Sequence, residues 1–249
     1  MEGVWLYSIV SVFIVSLISL IGIFALAIKA EKLKKILIYL ISFSAGALFG
    51  DAFIHLLPEV VESGMSVYYS LTILFGILLF FCLEKFIHWR HCHMPTTKKH
   101  IHPFAYMNLF GDSLHNFIDG LIIAGSYIIS LPVGIATTIA VLLHEIPKEI
   151  GDFGVLLYAG FSKGKAVLLN FVTALFAVLG AVVALSLTGF ITGVENYIVC
   201  LAIGGFLYIA GSDLIPELHK ETDAKISFMQ IISFVLGVLV MLSLLVLER

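Results

Sequence analysis

Eight stretches of mainly apolar sequence limit what this chain can fold into, at about 5–28, 36–57, 66–87, 104–128, 132–160, 165–188, 195–215 and 226–247. Each reaches the roughly 20 residues that a helix needs to cross about 30 Å of hydrocarbon. Charged residues are 12% of the chain and gather between the stretches, and mean hydropathy is +1.09. The fold class expected is therefore an all-α polytopic membrane protein of eight transmembrane helices, with the lipid bilayer as its solvent. Residues 1–249 read as a single transmembrane domain, in which 88–103 is the one extended hydrophilic piece. No basic patch or aromatic platform suggests a nucleic acid. Cys82, Cys92 and Cys200 lie far apart without a CxxC, so no disulfide framework is expected. The chain opens MEGVW, with an acid where a cleaved leader carries lysine or arginine, so the first stretch is expected to be a retained span.

Orientation follows from the basic residues. Lys29, Lys32, Lys34 and Lys35 lie between spans one and two; Lys85, Arg90, Lys98 and Lys99 lie around the three–four connection. Lys163 and Lys165 follow span five, and Lys220 and Lys225 follow span seven. With eight spans these twelve fall on one side, facing connections that carry Glu59, Glu62 and Glu195. The positive-inside rule then puts both termini outside and 88–103 in the cytosol. The membrane expected is the plasma membrane.

The chain also echoes itself. Span two ends SAGALFGDAFIHLLPE (44–59) and span seven ends AIGGFLYIAGSDLIPE (202–217), and the two run in opposite directions. An inverted repeat of spans 1–3 and 6–8 around spans 4 and 5 is expected, and such repeats mark transporters whose binding site lies near the midplane.

The polar residues concentrate in spans four and five. On span four, Asp112, His115 and Asp119 share a face, with Asn116 at its margin; on span five, His144, Glu145, Lys148, Glu149 and Asp152 form a stripe. Each ionisable group at the centre of a bilayer costs about 2.5–3.5 kcal/mol even on a lenient scale, so the group needs partners, water or a cation. Imidazole with carboxylate is the ligand mixture of zinc and other first-row divalent metals, which His115, Asp119, His144 and Glu145 can supply. A structural polar network and a metal-free proton relay remain open on the same residues. Pro147 removes a backbone donor and frees the carbonyl of Leu143.

At these residues the chain resembles the ZIP family of divalent metal transporters. HNFIDG (115–120) matches that family's H-N-F-x-D-G, and HEIPKEIGDFGVLL (144–157) matches its H-E-x-P-H-E-x-G-D except at one position. The resemblance extends to GDAFIHLLPE in span two and FLYIAGSDLIPE in span seven. It implies a primary site with His115, Asp119 and His144 as ligands, and an adjoining second site faced by Asn116, Asp119 and Glu145. It also implies transport into the cytosol, with spans two, three, seven and eight framing a mobile bundle of one, four, five and six. The departure is Lys148, where the signature has histidine or glutamate; a protonated lysine is no ligand, and its ammonium is expected to stand in for the second metal.

The function expected is transport of a divalent cation, zinc first and iron, manganese or cadmium next, with no enzymatic step. The alternatives are an intramembrane zinc protease, reading His144-Glu145 as the start of HExxH, and a metal sensor without flux. Along the route, His55, Asp112, Glu149, Asp152 and Asp213 are candidate pathway residues. His88, His91, His93, His100 and His102, with Cys92, make the cytosolic loop a candidate metal acceptor. The partners expected are metal ions, lipid and a second copy of the chain in a homodimer.

Overall fold

The computed structural model of the chain describes residues 2–25, 30–88, 103–188, 190 and 193–247. Among these residues every regular element is helical. Span one is Glu2–Ile18, extended by a 3₁₀ turn at Ser19–Ile21 and a last turn at Gly22–Ala25. Span two is Ala30–Gly50, a π-helical turn at Asp51–Leu56, and Leu57–Glu62. Span three is Val67–His88; spans four and five are the longest, Pro103–Ile129 and Leu131–Tyr158. Span six is Lys163–Ala174 and Phe176–Leu187. Span seven is Val194–Tyr208, a second π-helical turn at Ile209–Leu214, and Ile215–Leu218. Span eight is Ala224–Leu244 with a closing turn at Leu245–Leu247. Spans one, two, three, six, seven and eight are long and apolar enough to cross a membrane. Spans four and five match them in length and differ in the charges they carry. The protein is a polytopic all-α integral membrane protein.

Local chemistry sets the turns. Ser130 is extended and its side chain accepts from the Val133 N–H at 3.3 Å, with Pro132 in the first turn, so spans four and five form a tight helical hairpin. Gly160, at φ +98°, ends span five. Asp223 caps span eight, accepting from Lys225 N and Ile226 N at 3.0 Å each. Short connections make the spans on either side of them antiparallel, and Glu84 near the end of span three lines one cavity with Asn108 near the start of span four and Asp213 near the end of span seven. The connections one–two, three–four, five–six and seven–eight therefore share the end of the bundle where lysines concentrate, called the basic end below.

The repeat is visible in the backbone. Span two packs along span eight, and span three along span seven. A Cβ on Gly46 would strike the Phe234 carbonyl, and one on Gly237 the Phe43 carbonyl. The other pair crosses in the same way: a Cβ on Gly76 would strike the Leu201 carbonyl, and one on Gly204 the Ile73 carbonyl. Small residues let backbones approach where lipid offers no hydrophobic drive to association. Each π turn is six residues long, starts five residues after its crossing glycine, and precedes the sequence proline-glutamate, Pro58-Glu59 or Pro216-Glu217. The proline explains the turn. Lacking an N–H and crowding the carbonyl four residues back, it is accommodated by widening the helix, so that Leu57 N bonds to Ala52 O and Ile215 N to Ala210 O. Spans one, four, five and six pack together; span two also meets span five, and span seven meets span four.

Candidate metal centre

Four side chains from spans four and five converge. The ligand atoms of His115, Asp119, His144 and Glu145 all lie within 4.8 Å of one another. His115 Nε2 is 3.2 Å from His144 Nε2, 3.6 Å from Asp119 Oδ2 and 3.2 Å from Glu145 Oε1. His144 Nε2 is 3.5 Å from Asp119 Oδ2 and 3.4 Å from Glu145 Oε1. For bonds of about 2.1 Å, the length typical of zinc with nitrogen and oxygen, the edges of a tetrahedron are about 3.4 Å. Five of the six edges thus match a tetrahedral site. The two oxygens of Asp119 are buried and accept no hydrogen bond among the described residues. A buried carboxylate left so is costly unless a cation meets it.

The surroundings orient the candidate ligands. His144 Nδ1 lies 3.3 Å from the Ala140 carbonyl. That bond makes Nδ1 the protonated nitrogen and turns the lone pair of Nε2 toward the cluster. Phe80 of span three meets the His115 ring edge-on at 5.6 Å, and Phe206 of span seven meets His144 at 6.2 Å. Neither phenylalanine stands out in the sequence, because aromatic residues are ordinary in an apolar span. The helix of span five passes Pro147 without breaking. The Leu143 carbonyl that the proline frees accepts instead from Ser44 Oγ of span two, at 2.6 Å.

Lys148 sits beside the cluster. Its ammonium is 2.5 Å from Asp112 Oδ1, 3.1 Å from Glu145 Oε1 and 3.8 Å from Asp152 Oδ2. Spacing along span five accounts for Glu145 and Asp152; Asp112 comes from span four, across the helix pair. Asn116 donates to the Asp112 carbonyl at 3.0 Å and to its Oδ1 at 2.9 Å. Asn116 thereby joins the pair formed by Asp112 and Lys148.

A cavity of about 210 Å³ opens on the basic-end side of the cluster, lined among others by Glu84, Asp112, His115, Lys148, Asp152 and Asp213. On the other side, fully buried Leu56, Ile122, Ile123, Val141 and Val199 belong to one packed core. Asp152 accepts from Asn108 Nδ2 at 2.9 Å at the cavity wall. Glu149 is turned elsewhere: Asn170 of span six donates to its carboxylate. Asn170, a lone amide in span six, was detectable as a polar residue in an apolar helix. His55 is buried, with Nε2 2.9 Å from the Met241 carbonyl of span eight. His88 closes span three, while His91, Cys92, His93, His100 and His102 lie outside the described residues.

A family model described as ZIP Zinc transporter matches residues 2–104 and 99–245. The zinc transporter ZIP13 of Pongo abelii is 36% identical over 219 residues, covering 81% of this chain and 65% of that protein. ZIP13 of Mus musculus is 35% identical over 246 residues, covering 81% and 68%. ZIP13 of Danio rerio is 34% identical over 267 residues, covering 85% and 75%. The chain thus spans roughly two thirds to three quarters of the length of these relatives.

Proposed function

The chain belongs to the ZIP zinc transporter family, and from that premise we propose that it moves a divalent metal cation, zinc first, across the membrane. The ion is held by His115, Asp119, His144 and Glu145. The observation that carries this reading is the near-tetrahedral convergence of two imidazole nitrogens and two carboxylates in the middle of two membrane-length helices. Two carboxylates neutralise the ion's charge, and mixed N/O ligation suits zinc over magnesium or calcium, which take oxygen.

Lys148 limits the site to one ion. Its ammonium already pairs with Glu145, one of the residues expected to face a second cation, and with Asp112 of span four. The same pairing argues against a protease, because Lys148 stands where HExxH would place its second zinc ligand. The cavity on the basic-end side is the release route, with Asp152 and Asp213 along it. The twelve-residue basic bias puts that end in the cytosol and both termini outside.

Purified protein in proteoliposomes tests the reading by zinc uptake. Wild type is expected to accumulate zinc above empty vesicles, and His115→Ala or Asp119→Ala to reduce the rate by at least about tenfold at matched reconstitution. Near-normal uptake in either variant would move the site elsewhere.

A further inference from the structure

Ser44 ties span two to the backbone of the metal site by a hydrogen bond that the sequence makes necessary. Pro147 has no N–H, so the Leu143 carbonyl one turn before it loses the donor that a regular helix would supply from residue 147. In the apolar middle of a bundle such a carbonyl needs a donor from elsewhere. Ser44, fully buried, supplies it at 2.6 Å. Leu143 immediately precedes His144, so this bond fixes the peptide from which a ligand projects.

The same hydroxyl lies 2.7 Å from the Leu40 carbonyl of its own helix. A serine has one proton to donate, so Ser44 serves two acceptors that compete for it. One is always at hand in span two; the other exists only while spans two and five stay together. Letting go therefore leaves the serine satisfied and strands only the Leu143 carbonyl. The device is present on one side of the repeat alone. Ala202 holds the place of Ser44 in span seven, two residues before the crossing glycine, and span four has no proline after its first residue.

We propose that Ser44 is a positioning residue of the metal site: its hydroxyl caps the carbonyl that Pro147 frees, holds His144 in register with the other ligands, and passes to Leu40 when spans two and five separate. The proposal rests on the transport reading for the separation of the spans, but the positioning itself is testable by binding alone.

The experiment is a double-mutant cycle read by equilibrium zinc binding to purified, folded protein, with uptake measured in parallel. Ser44→Ala is expected to weaken zinc binding about five- to tenfold. In a Pro147→Ala background, where residue 147 regains the N–H that reaches Leu143, adding Ser44→Ala is expected to change binding less than twofold. Ser44→Thr, which keeps the hydroxyl, is expected to bind nearly as wild type. An equal loss in both backgrounds, or no loss in Ser44→Ala, overturns the proposal. If Ser44→Ala does not fold, recovery of folding by Pro147→Ala supports it and failure in both backgrounds overturns it. If Pro147→Ala itself does not fold, Ser44→Thr decides: wild-type affinity supports the proposal, and alanine-like affinity overturns it. Wild-type protein that takes up no zinc, with the binding cycle as expected, removes the transport reading and leaves the positioning role.

Discussion

Three residues before its proline, span two has His55, buried and bonded to the Met241 carbonyl of span eight. Span seven has Asp213 at the same place, exposed on the wall of the cavity. The two helices share the crossing glycine, the six-residue π turn and the proline, and they run in opposite directions. On the proposed route, equal backbones in unequal surroundings would put the two ends in different states. The end beside span seven is open, and the end beside span two is packed shut. A repeat whose halves can exchange these surroundings is what alternating access requires.

The comparison breaks most severely at the glycines. Gly46→Ala and Gly204→Ala each force a methyl group into the backbone of the crossing helix, and each is expected to cost about 1–3 kcal/mol or more. Thermal unfolding in detergent reads both. Similar drops support equivalent crossings, whereas a drop in one alone denies the symmetry. The next effect is accessibility. With Cys82, Cys92 and Cys200 replaced by serine, a cysteine at position 213 is expected to react with a small water-soluble thiol reagent at least about tenfold faster than one at position 55. Equal rates would mean that the two ends are not in different states. The smallest effect is electrostatic. Asp213→Asn removes one negative charge from the open mouth and is expected to change the KM for zinc uptake about two- to threefold, an effect that shrinks as salt is raised. An effect indifferent to salt would assign Asp213 a different role.

Much of this was legible in the sequence because a polar residue in an apolar helix is conspicuous and helical spacing says which residues share a face. The eight spans, the turn at Pro132, the glycine-proline echo and the cluster of His115, Asp119, His144 and Glu145 all follow from those two facts. Contacts between helices were not legible. Asp112 as the nearest partner of Lys148 requires knowing how span four lies against span five. Glu149 shares the stripe with Glu145 by spacing, yet Asn170 draws it to span six, because a buried carboxylate takes the nearest donor. Ser44, Phe80 and Phe206 carry no signal by type, and only the carbonyl freed by Pro147 announced that some donor had to be near.

The central claim is that one ion occupies the four-residue site while Lys148 fills the place of another. Equilibrium dialysis of the purified chain with zinc counts the ions directly. One tightly bound ion per chain, lost in Asp119→Ala, is the result expected. Two tightly bound ions, or one that survives Asp119→Ala, would contradict it.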